Sequence, residues 1–388
     1  MIENLVKKTV REFKPYQVEN IPCRIKLDAM ENPYPLPESL MKKIVEGIEK
    51  IKINRYPDSS ASKFKGIVSS QVGIPSDNII VGNGSDELIQ LILTTFGECG
   101  DRVLFPVPTF SMYGIIARSL SLVPEGVPLI PPFLKSPSFP PLKKGDAGGL
   151  KGGWGDWELP LDKFLTEIER IKPKVIFISY PNNPTGNCFS KEGILKILEM
   201  SECIVVIDEA YYDFSRKTFL LPPKSPYSEG RRWVGRKNLI ILRTLSKIGM
   251  AGLRVGYLMA DREICRELNK VRLPYNSNAV SQEIAGIILE NRFEIQRQID
   301  TIVSERKRLI TCLKQIPDVI PFPSETNFIL FKTAKDSKEV FDKLLSNGIL
   351  VRNFGDDIYL KDFLRVTVGT REENDEFMRV IKLVDTEK

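Results

Sequence analysis

The chain has 388 residues, 42% of them hydrophobic and 27% charged, with a net charge of +6 spread along its length. That size exceeds what one core usually fills, so two domains are expected, and the dispersed charge argues against nucleic-acid or membrane partners. Histidine is absent altogether, which excludes Ser-His and Cys-His nucleophiles and His-ligated zinc and leaves lysine as the leading base.

The opening Met1-Ile-Glu-Asn-Leu-Val-Lys-Lys8 lacks the apolar core of a secretory signal. No later run approaches the ~18 apolar residues of a membrane span. The six cysteines show neither a CxxC pair nor metal-ligand spacing, so a reduced cytoplasmic setting without a bound metal is expected. Residues 1–45 read as an N-terminal arm that adds to a smaller domain.

From residue 67 to about 260, short β-rich runs alternate with helical stretches, the pattern of a mostly parallel α/β sheet with helices on both faces. Candidate strands are 78–81, 102–105, 175–179, 204–207, 239–243 and 255–259, within a large domain spanning 46–273. The first strand runs into Gly82-Asn-Gly-Ser-Asp86 at the start of a helical stretch. Such a turn either cradles a phosphate on backbone N–H groups or is a plain junction capped by Ser85 or Asp86. Next comes Pro108-Thr-Phe-Ser-Met-Tyr113, whose Tyr113 suits either the core or a stack on a flat ring. Residues 131–155 are rich in Pro, Gly and Lys without period and read as a flexible surface insertion, with a lid as the rival reading.

Residues 274–388 have a different texture, that of a smaller α+β domain. An amphipathic helix is predicted over 293–315, then a strand at 327–331, a helix at 338–346, strands at 349–351 and 363–368, and a last helix. That helix opens with the capping box Thr370-Arg-Glu-Glu373.

Three polar islands stand at the carboxyl ends of apolar strands, where open parallel sheets place ligands: Tyr180-Pro-Asn-Asn-Pro-Thr-Gly186, Asp208-Glu-Ala-Tyr211 and Arg243-Thr-Leu-Ser-Lys247. They supply an amide, a carboxylate, a phenol and an amine. Pyridoxal 5'-phosphate suits that set, which offers an amine to bond its carbonyl, a carboxylate to hold its ring nitrogen protonated and donors for its ring oxygen. Asp208 could instead cap a helix, but an unpaired carboxylate at a dry sheet end is costly, and a pyridinium would be its natural partner. Arg254 follows Lys247 by seven residues in a Gly-rich stretch able to close around a phosphate.

On these motifs, with Lys14-Pro-Tyr-Gln17, Glu31-Asn-Pro33, Arg55-Tyr-Pro-Asp58, Ser324-Glu-Thr-Asn327 and Leu364-Arg-Val-Thr-Val-Gly-Thr-Arg371, the chain resembles the aspartate-aminotransferase superfamily of fold-type-I enzymes. Within it, the chain looks like the histidinol-phosphate aminotransferases. The resemblance covers all but residues 131–155 and parts of 222–236. It implies a mostly parallel sheet of the seven-stranded type and a covalent link from Lys247 to the cofactor. It also implies Asp208 at the ring nitrogen, and Asn183 and Tyr211 at the ring oxygen. Ser85, Asp86, Ser246 and Arg254 would hold the phosphate, and Tyr113 would stack on the ring. Tyr56 would reach the cofactor of a second subunit, so a homodimer is expected. Tyr16, Asn32, Tyr275, Arg352 and Arg365 would bind substrate. The spacing from Lys247 to Arg254 is one residue shorter than in many relatives.

The implied reaction is transamination between histidinol phosphate and a 2-oxo acid, with glutamate and 2-oxoglutarate as the second pair. The alternatives are an aromatic or other amino-acid aminotransferase and a threonine-phosphate decarboxylase-like lyase. A non-enzymatic regulator would need an appended DNA-binding domain, and only about fifty residues precede the core.

Overall fold

The computed structural model describes residues 2–11, 13, 21–132, 156–220, 236–355 and 357–386. Tyr16 and nearly all of the 131–155 insertion lie outside them. After β1 (Ile25–Lys26), seven strands build the main sheet: β2 (Ile79–Asn83), β3 (Arg102–Val107), β4 (Val123–Pro128), β5 (Val175–Ser179), β6 (Ile204–Asp208), β7 (Leu239–Thr244) and β8 (Val255–Ala260). Their order is β2-β8-β7-β6-β5-β3-β4, and β8 runs opposite to the other six.

The continuous apolar runs are explained by burial on both faces. Along β5, Val175 and Phe177 pack to one side with Ile240 and Leu242, while Ile176 and Ile178 pack to the other with Ile207 and Ile241. The helix Gly84–Phe96 covers the first face through Leu88, Ile89, Ile92 and Leu93. Helices Leu161–Ile171 and Lys191–Met200 cover the second through Phe164, Ile168, Ile194 and Ile197.

Sequence periodicity located six of the seven strands within two residues at either end and missed β4. Its sequence, Val-Pro-Glu-Gly-Val-Pro, lacks β-branched alternation and carries two prolines, which a strand tolerates because β4 is an edge with one partner.

The C-terminal part holds β9 (Val319–Pro321), β10 (Phe328–Thr333), β11 (Ile349–Leu350), β12 (Arg352–Asn353) and β13 (Phe363–Thr367). Four of these form an antiparallel sheet ordered β12-β13-β10-β9, and β1 pairs in parallel with β11. The expected amphipathic helix is Arg292–Leu313. The capping box is realised: Thr370 N–H donates to Glu373 Oε2 at 2.8 Å, and Glu373 N–H donates back to Thr370 Oγ1 at 3.3 Å.

At the base of the insertion, Ile130 and Glu158 form an antiparallel bridge with reciprocal N–H···O bonds of 2.9 and 3.0 Å. None of the six cysteines is in a disulfide, and among the described residues no helix is long and apolar enough to cross a membrane and no metal-binding cluster occurs.

Candidate active site

The carboxyl ends of β5, β6 and β7 bring the three polar islands into one cavity. Asn183, Asp208, Tyr211, Ser246 and Lys247 line it, joined by Ser85 and Asp86 from the first turn of helix Gly84–Phe96 and by Arg254. The reversal at β8 puts Arg254 there, because the chain between β7 and β8 never leaves this end of the sheet.

Asp208 is fully enclosed. Its Oδ2 accepts from the Tyr113 hydroxyl at 2.7 Å and its Oδ1 from the Ala210 N–H at 3.0 Å. Burial pushes its carboxyl up to about 6, although both hydrogen bonds pull the other way. A cation placed against this group would restore its charge. Lys247 is shifted oppositely: burial, helped by the nearby Arg365 guanidinium, brings its ammonium down to about 8. Its free amine is therefore accessible near neutral pH.

Asn183 accepts from Arg365 Nη1 at 2.7 Å, which fixes its amide oxygen and leaves its NH2 as a donor. The buried Tyr211 hydroxyl has no hydrogen-bond partner among the described residues. A buried phenol left so is costly and marks where a ligand oxygen fits. At the other end, Asp86 and Arg254 pair at 3.0 Å. Gly84 has φ +82°, and a Cβ there would lie 2.6 Å from Arg254 Nη2; a Cβ on Gly256 would lie 2.8 Å from Ser85 N. Both positions must be bare for the helix start and the arginine to meet at a phosphate-sized cradle. Orphaned phenol, bare cradle, raised carboxylate and depressed amine together fit pyridoxal 5'-phosphate.

The stacking role expected of Tyr113 is corrected. Its ring is fully buried against Phe177, with centroids 4.7 Å apart and planes at 10°, and its hydroxyl is spent on Asp208. The helix Met112–Ser119 begins just before Tyr113 and turns it inward, whereas Phe110 in the preceding turn lines the cavity. Tyr56 is 80% exposed and stacks on Tyr275 at 4.5 Å; neither lines the cavity. Asn32 fastens the N-terminal segment beside Lys247, donating to Ile248 O at 3.4 Å and Gln298 Oε1 at 2.9 Å. Arg352 is exposed and stands directly opposite buried Arg365 across β12 and β13, with Phe354 beside both guanidiniums at 6.0 and 5.6 Å.

Sequence reasoning passed over the buried pair Arg243–Glu209, whose Nη2 and Nε lie 2.8 and 3.0 Å from Oε2. Glu209 also accepts from Thr218 Oγ1 and Phe219 N–H, and the Arg243 guanidinium lies 3.6 Å over the Tyr212 ring. The charged residues inside two apolar strand ends were the available signal.

Residues 24–381 match the profile of the aminotransferase class I and II family, and the chain belongs to that family. It is 41% identical over 383 residues to a histidinol-phosphate aminotransferase of Thermoanaerobacter sp. (strain X514), covering 98% of this chain and 99% of that protein. It is 36% identical to a histidinol-phosphate aminotransferase of Aquifex aeolicus, covering 97% of each. The crystal structure of histidinol-phosphate aminotransferase from Sinorhizobium meliloti in complex with pyridoxal-5'-phosphate superposes with a TM-score of 0.81 at 20% identity, over 98% of this chain and 97% of that one. The chain is an aminotransferase, and its cofactor is pyridoxal 5'-phosphate.

Proposed function

We propose that this aminotransferase moves an amino group between histidinol phosphate and 2-oxoglutarate, in histidine biosynthesis. The observation that carries the substrate is full-length similarity, at 36–41% identity, to proteins bearing that activity's name. The opposed Arg352 and Arg365 support it, since two guanidiniums suit a phosphate in one half-reaction and a second carboxylate in the other.

Pyridoxal 5'-phosphate supplies, when bound, an electron sink for bonds at the substrate's α-carbon. Asp208 would hold its ring nitrogen protonated, while Asn183 and Tyr211 donate to its ring oxygen. Ser85, Asp86, Ser246 and Arg254 would hold its phosphate, with Arg254 exchanging its contact with Asp86 for the anion. Phe110 would cover the ring. Lys247 would anchor the cofactor, yield to the substrate amine, and then carry the proton between the substrate α-carbon and the cofactor C4' atom. No histidine is available to take that proton.

Tyr56, so exposed here, would reach the cofactor of a second copy, making the working unit a homodimer; Tyr16 and Tyr275 would complete the substrate pocket. Asn32 would act by holding the Lys247 loop. We also take the chain as an arm (1–45), a large cofactor domain (46–273) and a small domain (274–388), working in the cytoplasm without nucleic acid.

The test follows the absorbance of the bound cofactor as histidinol phosphate, glutamate and aromatic amino acids are each added alone. Histidinol phosphate and glutamate should each convert it to the amino form. Conversion by aromatic amino acids but not by histidinol phosphate would overturn the substrate, and release of carbon dioxide in place of a 2-oxo product would overturn the reaction.

A further inference from the structure

A second cavity, of about 300 Å³, opens along the outer edge of β2 and shares no lining residue with the Lys247 cavity. Two cations face it: Lys65, from the helix Ser62–Val72, and Arg272, just past the helix Arg262–Val271. The other polar side chains around it, Ser59, Ser60, Asn269, Asn276 and Gln282, are neutral.

Both cations are partly buried, and neither forms an ion pair among the described residues. Lys65 makes no hydrogen bond among them. Arg272 donates only to neutral acceptors, Asn269 Oδ1 at 3.0 Å, Asn276 Oδ1 at 2.8 Å and Leu273 O at 3.5 Å. Burial holds both side chains below their ordinary pKa; at Lys65 the Asp77 and Asp58 carboxylates oppose that shift while the Arg272 charge adds to it, and at Arg272 Glu87 opposes it. The two groups thus repel one another across the space between them.

The acids nearby bond to groups other than the two cations. Asp58 accepts from the Ser60 and Ser62 N–H groups at 2.9 and 2.6 Å, and Asp77 pairs with Arg262 at 3.2 Å. Glu87 accepts from the Asn83 N–H and from Asn276 Nδ2. The buried Cys265 thiol, pushed up to about 12, carries no charge. Asp77 and Asp58 act on Lys65, and Glu87 on Arg272, only through space, so two half-buried positive charges share a polar cavity with no carboxylate in contact, a cost that a ligand bearing two negative charges would reduce.

We propose that this cavity is a binding site for a small phosphate-type oxyanion, clamped between Lys65 and Arg272. The charge count favours phosphate over a single carboxylate, because a phosphate monoester carries about two negative charges at neutral pH. The arginine fork and the lysine point charge are the usual pair for such a group. The ring of neutral hydrogen-bonding side chains leaves room for either a free ion or the phosphoryl end of a small metabolite.

The test labels the cofactor-loaded enzyme with limiting amine-acylating reagent and reads Lys65 by peptide mass spectrometry. Inorganic phosphate and glycerol phosphate are added separately, against sodium chloride at matched ionic strength. Acylation of Lys65 should slow roughly threefold at a ligand concentration of twice Kd, the mass-action factor for one site, while Lys63 on the outer side of the same helix keeps its rate. Protection should vanish in Arg272→Met. Protection by glycerol phosphate alone would identify a phosphorylated metabolite as the occupant, and protection by inorganic phosphate a free ion. An unchanged Lys65 rate with both ligands in the unaltered enzyme, or equal protection in Arg272→Met, would overturn the site.

Discussion

The Tyr113 hydroxyl, buried behind the cavity wall, donates a 2.7 Å hydrogen bond to Oδ2 of Asp208. The bond favours the charged carboxylate against a burial that opposes it. In Tyr113→Phe the ring can keep its stack on Phe177 while the donor is lost, so the fold should survive and the Asp208 pKa should climb further. Loss of a hydrogen bond to a charged group, about 1.5–3 kcal/mol, predicts weaker cofactor retention by roughly ten- to a hundredfold. Cofactor fluorescence titration measures it; unchanged affinity would remove Tyr113 from any role beyond packing.

Asp208 also sets a pH dependence in the cofactor-free protein. Its folded value of about 6 is above the ordinary 3.8, so the stability it contributes is fully present below about pH 4 and is lost as pH rises through about 6. Asp208→Asn, which avoids that loss, should match the parent near pH 4 and be more stable above pH 6, by an amount on the order of 3 kcal/mol at 1.4 kcal/mol per pKa unit. Urea melts of both proteins at pH 4 and pH 7.5 provide the check. The same variant should be nearly inactive.

Lys247→Ala should fold yet lose the borohydride-fixable bond to the cofactor. Removing the proton carrier alone costs about 10²–10⁴ in rate. No histidine can substitute, so turnover should fall at least that far. Near-normal turnover would exclude Lys247 as the reactive amine.

Arg352→Ala should discriminate between substrates. With Arg365 held by Asn183 and the Asp28 carbonyl, Arg352 is the more adaptable of the opposed pair. Its removal should weaken histidinol phosphate by about 1.5–3 kcal/mol and glutamate much less. Equal KM changes for the two would take Arg352 out of phosphate recognition.

Breaking the Arg243–Glu209 pair should be costly in a specific way. Arg243→Met leaves a buried carboxylate without its cation and should destabilise by about 3–5 kcal/mol. Adding Glu209→Met should recover part of that loss, although Thr218 and Phe219 N–H then lose an acceptor. Strict additivity in denaturant unfolding would show that the two side chains do not act as a pair.

The chemistry-bearing loops were legible because each follows a strand buried on both faces, whose unbroken apolar text makes a following Asn, Asp or Lys stand out. Tyr113 and Phe110 were harder to separate. Both are aromatic and three residues apart, and which one meets the cavity depends on where the helix starts, a boundary that propensity locates only to within a few residues. Gly256 was silent for a different reason: its requirement comes from Ser85, distant in sequence, and becomes visible only when the helix start and β8 are brought together. Arg352 and Arg365 were named together for the substrate from resemblance, but their direct opposition across two strands is a matter of register.

The Ile130–Glu158 bridge works as a clasp on the chain. Two reciprocal hydrogen bonds close the neck of the intervening stretch, so the register of β4 and of the helix Leu161–Ile171 is set outside it. Changing the number of residues between Ile130 and Glu158 alters closure entropy only logarithmically. This neck is therefore where the enzyme could accept a grafted peptide or reporter domain while its catalytic body keeps its dimensions.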